Sequence, residues 1–393
     1  MNIIRYKLFS YYRGAFGLFY RSLKKLTRRA STYHIFTGCV MKGDEYWRTM
    51  PFPIRRTPEK GKLQQYRNKW LAISPNVPDL YLRLYSSFSG VDSCDFVPAS
   101  LYYTHVEPML NNVEFSRSFA DKNLYGLLVD NSVLPEVLLR KMNGIWYDGR
   151  YNSVRDIDEI IKDIAKTHEK VIVKHAVASQ GGENIFCVKS DGDRLYLRDD
   201  IVDKAWFEKH FDNNFLVQAY VYQHAFYERF NATSLNTFRV YTYRSVKDDS
   251  VHVLSAILRV GGPGSVVDNI KKGGKACGIN LETGKLNGLV YGSDGNSSAY
   301  VGEVDIDKEG DLYKFHEVAQ KAKELARKQF YTRVIGFDFC VNRNGQVNMI
   351  ELNNYDVGID SLQMCNGPLF REFTDEVIDY CKKKKKNFRF IIR

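Results

Sequence analysis

Asp338, Glu351 and Asn353 are three oxygen-bearing side chains in a stretch, residues 335–354, that otherwise reads as two apolar strands. Asp338 falls on the first strand, and Glu351 and Asn353 fall two apart on the second, so these two share a face. Carboxylates and a carboxamide on neighbouring strands make a hard-cation site. It suits Mg²⁺, with Mn²⁺ as the alternative, keeping part of its water and binding substrate phosphates. The strands meet at Asn344-Gly345, a dipeptide that tolerates the positive φ of a tight hairpin turn. A solvent-exposed hairpin edge has the same pattern.

Upstream lie residues suited to anions. Lys174 ends a β-branched run, 171–174, and is followed by Gly181-Gly182 and a second strand, 185–188. Strand, glycine turn, strand is a loop whose backbone can close over phosphates, although a plain hairpin has the same letters. A lysine leaving a buried strand says more, because an ammonium is costly to bury without an anion beside it. Residues 215–221 form the next apolar strand. Arg239 and Arg259 are then set into strand-like runs, 236–243 and 252–259, ahead of Gly261-Gly262-Pro263-Gly264, Asp268-Asn269 and Gly273-Gly274. Arginines directed at one glycine-rich loop suit two-pronged recognition of phosphate or carboxylate, and cross-strand ion pairing is the alternative.

These residues need a scaffold. Helical periodicity over 312–327 backs the metal hairpin, a second helical pattern covers 156–167, and Asp121-Lys122 opens a shorter one over 123–128. Pro51, Pro53, Pro58, Pro75 and Pro78 break residues 31–114 into an α-rich accessory region without a catalytic pattern. Its aromatic stretch 84–90 and the Tyr102/Tyr103 pair read as packing. His175 and His224 read as structural. Residues 1–30 place Ile4, Leu8, Tyr12, Ala15, Phe19, Leu23 and Leu26 on one helical stripe opposite lysines and arginines. Such a helix lies either on an anionic membrane or on its own protein. The run is too interrupted for a signal peptide or a spanning helix.

The formal charge of +11 points toward nucleic acid, but its distribution does not. Sixteen of the 57 Lys/Arg lie before Asp44 or after Asp379, where there are no acids, leaving 41 bases against all 46 acids between. The body is mildly acidic, which argues against a nucleic-acid partner and moves the basic charge to the two ends, including a tail, 376–393. Seven scattered cysteines without a C-x-x-C pair imply a reducing, cytoplasmic setting and no disulfide framework or zinc site.

With Lys122, Lys174, the glycine turn, Arg239, Arg259, Asn269 and the Asp338/Glu351/Asn353 set in this order, residues 115–360 resemble the ATP-grasp superfamily of carboxylate–amine ligases. The phrases Asn236-Thr-Phe-Arg-Val240, Ser265-Val-Val-Asp-Asn269 and Glu351-Leu-Asn-Asn-Tyr-Asp-Val-Gly-Ile-Asp360 are most similar to the sugar-transfer associated ATP-grasp proteins. The resemblance implies an α+β fold, two subdomains (115–220 and 221–375) clasping ATP. Lys122 and Lys174 would contact the phosphates, under a loop at Gly181 and Gly182. The adenine would meet Gln218, Ala219, Tyr220 and Val221, Gln218 standing where the family usually has an acid. Asp338, Glu351 and Asn353 would hold Mg²⁺. Arg259, Arg239 and Asn269 would hold the acyl-phosphate and the transferred phosphoryl group.

The expected activity is therefore ATP- and Mg²⁺-dependent joining of a carboxylate to an amine, an amino acid with a sugar or glycan precursor in bacterial polysaccharide assembly. The inner face of the plasma membrane is a candidate location, through the basic termini. The rival readings are a phosphotransferase and a non-catalytic nucleotide-binding scaffold. The second has no use for metal acids and a strand lysine together.

Overall fold

The computed structural model describes residues 56–177, 185–211, 213–265, 268, 270, 273–292, 297–301 and 304–383. The stripe of 1–30, Gly181 and Gly182, Asn269 and the lysines from 384 onward lie outside the described residues.

Two seven-stranded sheets organise the unit Pro51–Lys385. The first contains β1 (Val137–Met142), β2 (Ile145–Asp148), β3 (Lys170–His175), β4 (Phe186–Ser190), β5 (Leu195–Leu197), β6 (Asp200–Ile201) and β7 (Phe215–Ala219), in the order β2-β1-β7-β3-β4-β5-β6. Its neighbours all run antiparallel. Leu139, Val171, Val173, Phe215 and Val217 alternate onto the face covered by helices Ile157–Thr167 and Lys204–His210. The period of two sends Arg140, Lys174 and Gln218 to the other face. The strands expected at 171–174, 185–188 and 215–221 are β3, β4 and β7. The β1–β2 hairpin has no counterpart in the sequence reading, because Arg140 and Lys141 interrupt its apolar alternation.

The second sheet contains β8 (Thr237–Arg244), β9 (Val251–Val260), β10 (Lys275–Ile279), β11 (Leu286–Gly292) and β12 (Ser297–Ser298). A small ribbon, β13 (Tyr300–Val301) with β14 (Val304–Asp305), precedes its last strands, β15 (Val334–Val341) and β16 (Val347–Asn353). Their order is β12-β11-β10-β9-β8-β15-β16. Helix Phe315–Arg327 covers one face, where Phe238, Val240, Leu258, Phe337 and Phe339 meet Val318 and Ala322. Thr237, Arg239, Arg259 and Asp338 alternate onto the other.

The hairpin β15–β16 departs from a plain ladder twice. Gly345 has φ +77°, whereas Asn344 is absent from the positive-φ residues. The Asn342 amide bonds the Gln346 carbonyl, making a three-residue loop rather than a two-residue turn. Second, Asp338 faces Glu351 but Phe339 faces Met349, which leaves Ile350 as a bulge. Met349 and Glu351 would otherwise share a face. The bulge resets the alternation and puts Glu351 and Asn353 on the side of Asp338.

Short helices, among them Lys60–Leu71, Leu80–Ser89 and Glu107–Leu110, fill the described part of the accessory region. Tyr81, Leu84, Tyr85, Phe88 and Tyr102 are buried there, as packing residues should be. Helix Thr374–Lys383 runs past residue 376, where the basic tail was expected to start, and buries Val377 and Ile378. No helix among the described residues is long and apolar enough to cross a membrane.

Candidate functional site

A belt of charge runs across the face of the second sheet opposite helix Phe315–Arg327. Arg239 donates from Nε and Nη2 to Asp338 Oδ1 and Oδ2 at 2.7 and 2.6 Å. Arg259 donates from Nη1 to Asp338 Oδ2 at 3.2 Å and from Nη2 to Asp268 Oδ1 at 2.8 Å. Thr237 holds the second oxygen of Asp268 through its hydroxyl. Cross-strand register creates this belt, since Asp338 pairs with Arg239 and Thr237 with Arg259. Burial pushes the Asp338 carboxyl up, but Arg239 and Arg259 outweigh it and hold the group below its ordinary range. Burial likewise pulls the Arg239 guanidinium down, and Asp338 more than restores it. Asp268 ends above its ordinary value, burial outweighing Arg259.

Lys122 and Lys174 reach the same place from the first sheet's side. The Lys122 amide donates to the Ala176 carbonyl, two residues after Lys174, and its Nζ donates to Glu351 Oε1 at 2.8 Å. Tyr125 clamps the strand beneath, since its hydroxyl donates to the Leu352 carbonyl and accepts from the Leu352 amide. Lys174 is only 5% exposed and forms no ion pair with a described residue. Burial and then the charge of Lys122 pull its pKa from 10.5 to about 8, with Glu351 offsetting part of that. An ammonium buried without an ion pair is costly to the fold, and an anion placed beside it would relieve that cost.

A cavity of about 810 Å³ is lined by Lys122, Lys174, Arg140, Gln218, Met349 and Ile350 among others, and Asp338, Glu351, Asn353, Arg239 and Arg259 lie outside its lining. A second, of about 520 Å³, shares Leu134, Pro135 and Glu136 with it and takes in Ala219, Tyr220 and Val221. The expected adenine residues are thus divided, Gln218 in the larger cavity and the other three in the smaller.

One family matches the chain over residues 103–378, that of the sugar-transfer associated ATP-grasp proteins. The chain belongs to this family. The match reaches beyond 115–360 on both sides and takes in Glu107, Asn111 and the helix after Asn353. The fold is accordingly the ATP-grasp fold, whose enzymes use ATP with Mg²⁺.

Among solved structures the chain is similar to N5-carboxyaminoimidazole ribonucleotide synthetase from Thermotoga maritima. The identity is 9%, over 65% of this chain and 45% of that one, with a TM-score of 0.31. It is also similar to the ATP-grasp ligase PsnB complexed with a minimal precursor, at 12%, 69%, 63% and 0.38 in the same order. Biotin carboxylase from Campylobacter jejuni follows at 13%, 68%, 47% and 0.37. The chain spans less than two thirds of the length of each of these three. No curated protein sequence matches it.

In this ATP-grasp chain, Asp338, Glu351 and Asn353 offer oxygen donors of the right hardness for Mg²⁺. The Asp338 carboxylate has about four acceptor sites and spends three on the arginines. Glu351 is partly exposed, and the buried Asn353 Nδ2 has no hydrogen-bond partner, so that carboxamide is not committed to the fold. The set fits a cation once Lys122 shares Glu351. Among the described residues no three His, Cys, Asp or Glu side chains form a separate metal cluster.

Three site-face residues carry no signal in the sequence. Asp268 stands out there only as the neighbour of Asn269. Arg140 lies in the unpredicted hairpin. Cys340, two residues after Asp338, is buried with its thiol pushed up to about 12, which leaves it inert. Of the two histidines read as structural, His224 caps helix Ala225–Glu228 by accepting from the Phe226 amide, and His175 packs on Phe211.

Proposed function

We propose that the protein is an ATP- and Mg²⁺-dependent ligase that joins a carboxylate to an amine through an acyl-phosphate, with an amino acid and a sugar or glycan precursor as the substrate pair. The observation that carries this reading is Lys174, a buried ammonium without an ion pair among the described residues, in a cavity that Lys122 and the Met349-Ile350 end of the Glu351 strand also line. That combination suits a polyphosphate together with a divalent cation.

The chemistry needs activation of a poor electrophile. A substrate carboxylate oxygen takes the γ-phosphoryl of ATP and ADP leaves; the amine then attacks the acyl carbon, phosphate leaves, and the amine sheds a proton. Bound Mg²⁺ supplies charge neutralisation on the phosphates. Lys122 and Lys174 hold phosphate oxygens, and Asp338, Glu351 and Asn353 hold the cation. In this reading Arg259, together with Arg239 and Asn269, would hold the acyl-phosphate and the transferred phosphoryl group, with Arg259 exchanging one of its bonds to Asp338 or Asp268 for the ligand. No protein nucleophile is required, in keeping with the inert Cys340 and the structural roles of His175 and His224.

The test is ADP release from Mg-ATP against amino acids crossed with carboxylated and amino sugars, with Glu351→Gln as control. Substrate-stimulated release that the variant lacks, with an amide in the product mass spectrum, is the expected result. A stable phosphorylated product instead of an amide makes the protein a phosphotransferase. Equal release by wild type and Glu351→Gln removes the metal assignment.

A further inference from the structure

Arg140 is a buried cation that the nucleotide reading leaves without a task. It is 2% exposed, forms no ion pair with a described residue, and lines the larger cavity from the β1–β2 hairpin. Burial lowers its pKa, and the nearest relief comes from Tyr151 rather than from a carboxylate. Its guanidinium carbon sits 3.8 Å from the centroid of the Tyr151 ring. Nη1 donates to the Asn123 carbonyl at 2.7 Å and Nη2 to the Gly149 carbonyl at 3.1 Å. Nε is buried without a hydrogen-bond partner.

Tyr151 is held at φ +67°, a left-handed conformation that a bulky side chain adopts only when its surroundings impose it. The surroundings are a short turn built on Asp148, whose carboxylate accepts from the Arg150 and Asn152 amides and from Asn152 Nδ2. The Tyr151 hydroxyl donates at 2.8 Å to the same Asn123 carbonyl that Arg140 holds. Asn123 is fully buried and fixed on its other sides, its amide by Asp121 and its Nδ2 on the Lys141 carbonyl. The next residue back is Lys122, whose Nζ meets Glu351.

We infer that Arg140 and Tyr151 are positioning residues for Lys122. Two donors converge on the carbonyl of Asn123, the residue that follows Lys122, and the strained turn 148–152 holds one of them in place. The lysine's backbone is thereby fixed before any ligand arrives, so its ammonium is aimed into the cavity at no ordering cost upon binding. The guanidinium adds a third buried positive charge on that wall, beside Lys122 and Lys174. This inference rests on the proposal that the cavity receives the phosphates of Mg-ATP.

The test measures the dissociation constant of Mg-ATP calorimetrically on the full chain, with Tyr151→Phe, Arg140→Lys, Lys122→Met and the double variants carrying Lys122→Met. Tyr151→Phe removes one hydrogen bond and should weaken binding about fivefold, with the nucleotide-free melting temperature within about 2 °C of wild type. Arg140→Lys keeps the charge but loses the fork, and should weaken binding about tenfold. Neither change should weaken binding further once Lys122 is methionine, because the residue they position is gone. Equal losses in both backgrounds would assign the pair a general structural role and overturn the inference, as would unchanged affinity in both single variants. Wild type that fails to bind Mg-ATP overturns the nucleotide reading and the inference together, whereas binding that Lys174→Met abolishes and Tyr151→Phe leaves intact overturns the inference alone.

Discussion

Lys174 condenses the conflict between stability and function into one side chain. Its folded pKa of about 8 lies below the 10.5 of a free lysine, so at neutral pH the side chain stays charged and the fold is destabilised by holding it. Lys174→Met should therefore raise the melting temperature of the nucleotide-free protein while abolishing the further rise that Mg-ATP produces in wild type. A destabilised variant that still responds to Mg-ATP would contradict both parts. The same shift sets a pH dependence. Bound phosphates favour the ammonium, so Mg-ATP affinity should be full below about pH 8 and fall as pH rises through that value. Calorimetric titrations at pH 7, 8 and 9 check the trend, and a flat series would detach Lys174 from the ligand.

At the scale of elements, the bulge at Ile350 decides the chemistry of the hairpin. Opposite β15, it lets Met349 join the core under helix Phe315–Arg327 while Glu351 turns to the site. Deleting Ile350 removes the unpaired residue and makes Met349 and Glu351 neighbours, so Met349 stays on the core face and Glu351 and Asn353 stay beside Asp338. The deletion is therefore expected to fold and to keep binding Mg-ATP, whereas Glu351→Leu, which leaves the register intact, should lose ATP turnover. A deletion variant that no longer binds Mg-ATP while melting like wild type would mean that the bulge shapes the site itself and does more than set which residues face it. The cross-strand register of β8, β9 and β15 works in the same way, placing Thr237, Arg239, Arg259 and Asp338 side by side from three separate strands.

Across the whole unit, the short helices before the first sheet are tied to the second. Asn111 donates from Nδ2 to the Val334 and Asn354 carbonyls and accepts from the Arg333 and Val334 amides. Gln363 exchanges hydrogen bonds with the backbone of Val97, and Tyr85 donates to Asp360. Glu107 accepts from the Asp356 and Val357 amides, in the loop that follows Asn353. Burial lifts the Glu107 carboxyl to about 8, those amides offsetting only part of the rise. The folded pKa is raised, so its contribution is complete below the unfolded value of about 4.5 and is lost as pH climbs through 8. Stability should fall across that window by at most about 1.4 kcal/mol per pH unit from this group, and Glu107→Gln should flatten the slope. Urea unfolding at pH 5, 6.5 and 8 checks it, and parallel profiles would free Glu107 of that role.

Much of the molecule was legible in the chain itself. Alternating apolar runs named β3, β4, β7, β8, β9 and the β15–β16 pair, because a two-residue period with one covered face leaves a readable trace. The order of lysines, arginines and acids named the family. Composition also separated the charged ends from the acidic body. Tertiary structure alone decided which side chains meet. Met349 faces the core while Glu351 faces the site only because Ile350 is left out of the pairing, and Asp268 enters the site only because Arg259 bridges it to Asp338. Arg140 reaches the turn of Lys122 from a hairpin that two basic residues hid from pattern reading. Alternation reports the face a residue takes in an ideal strand; bulges, register and long-range pairing are settled by packing between distant segments, which local periodicity does not record.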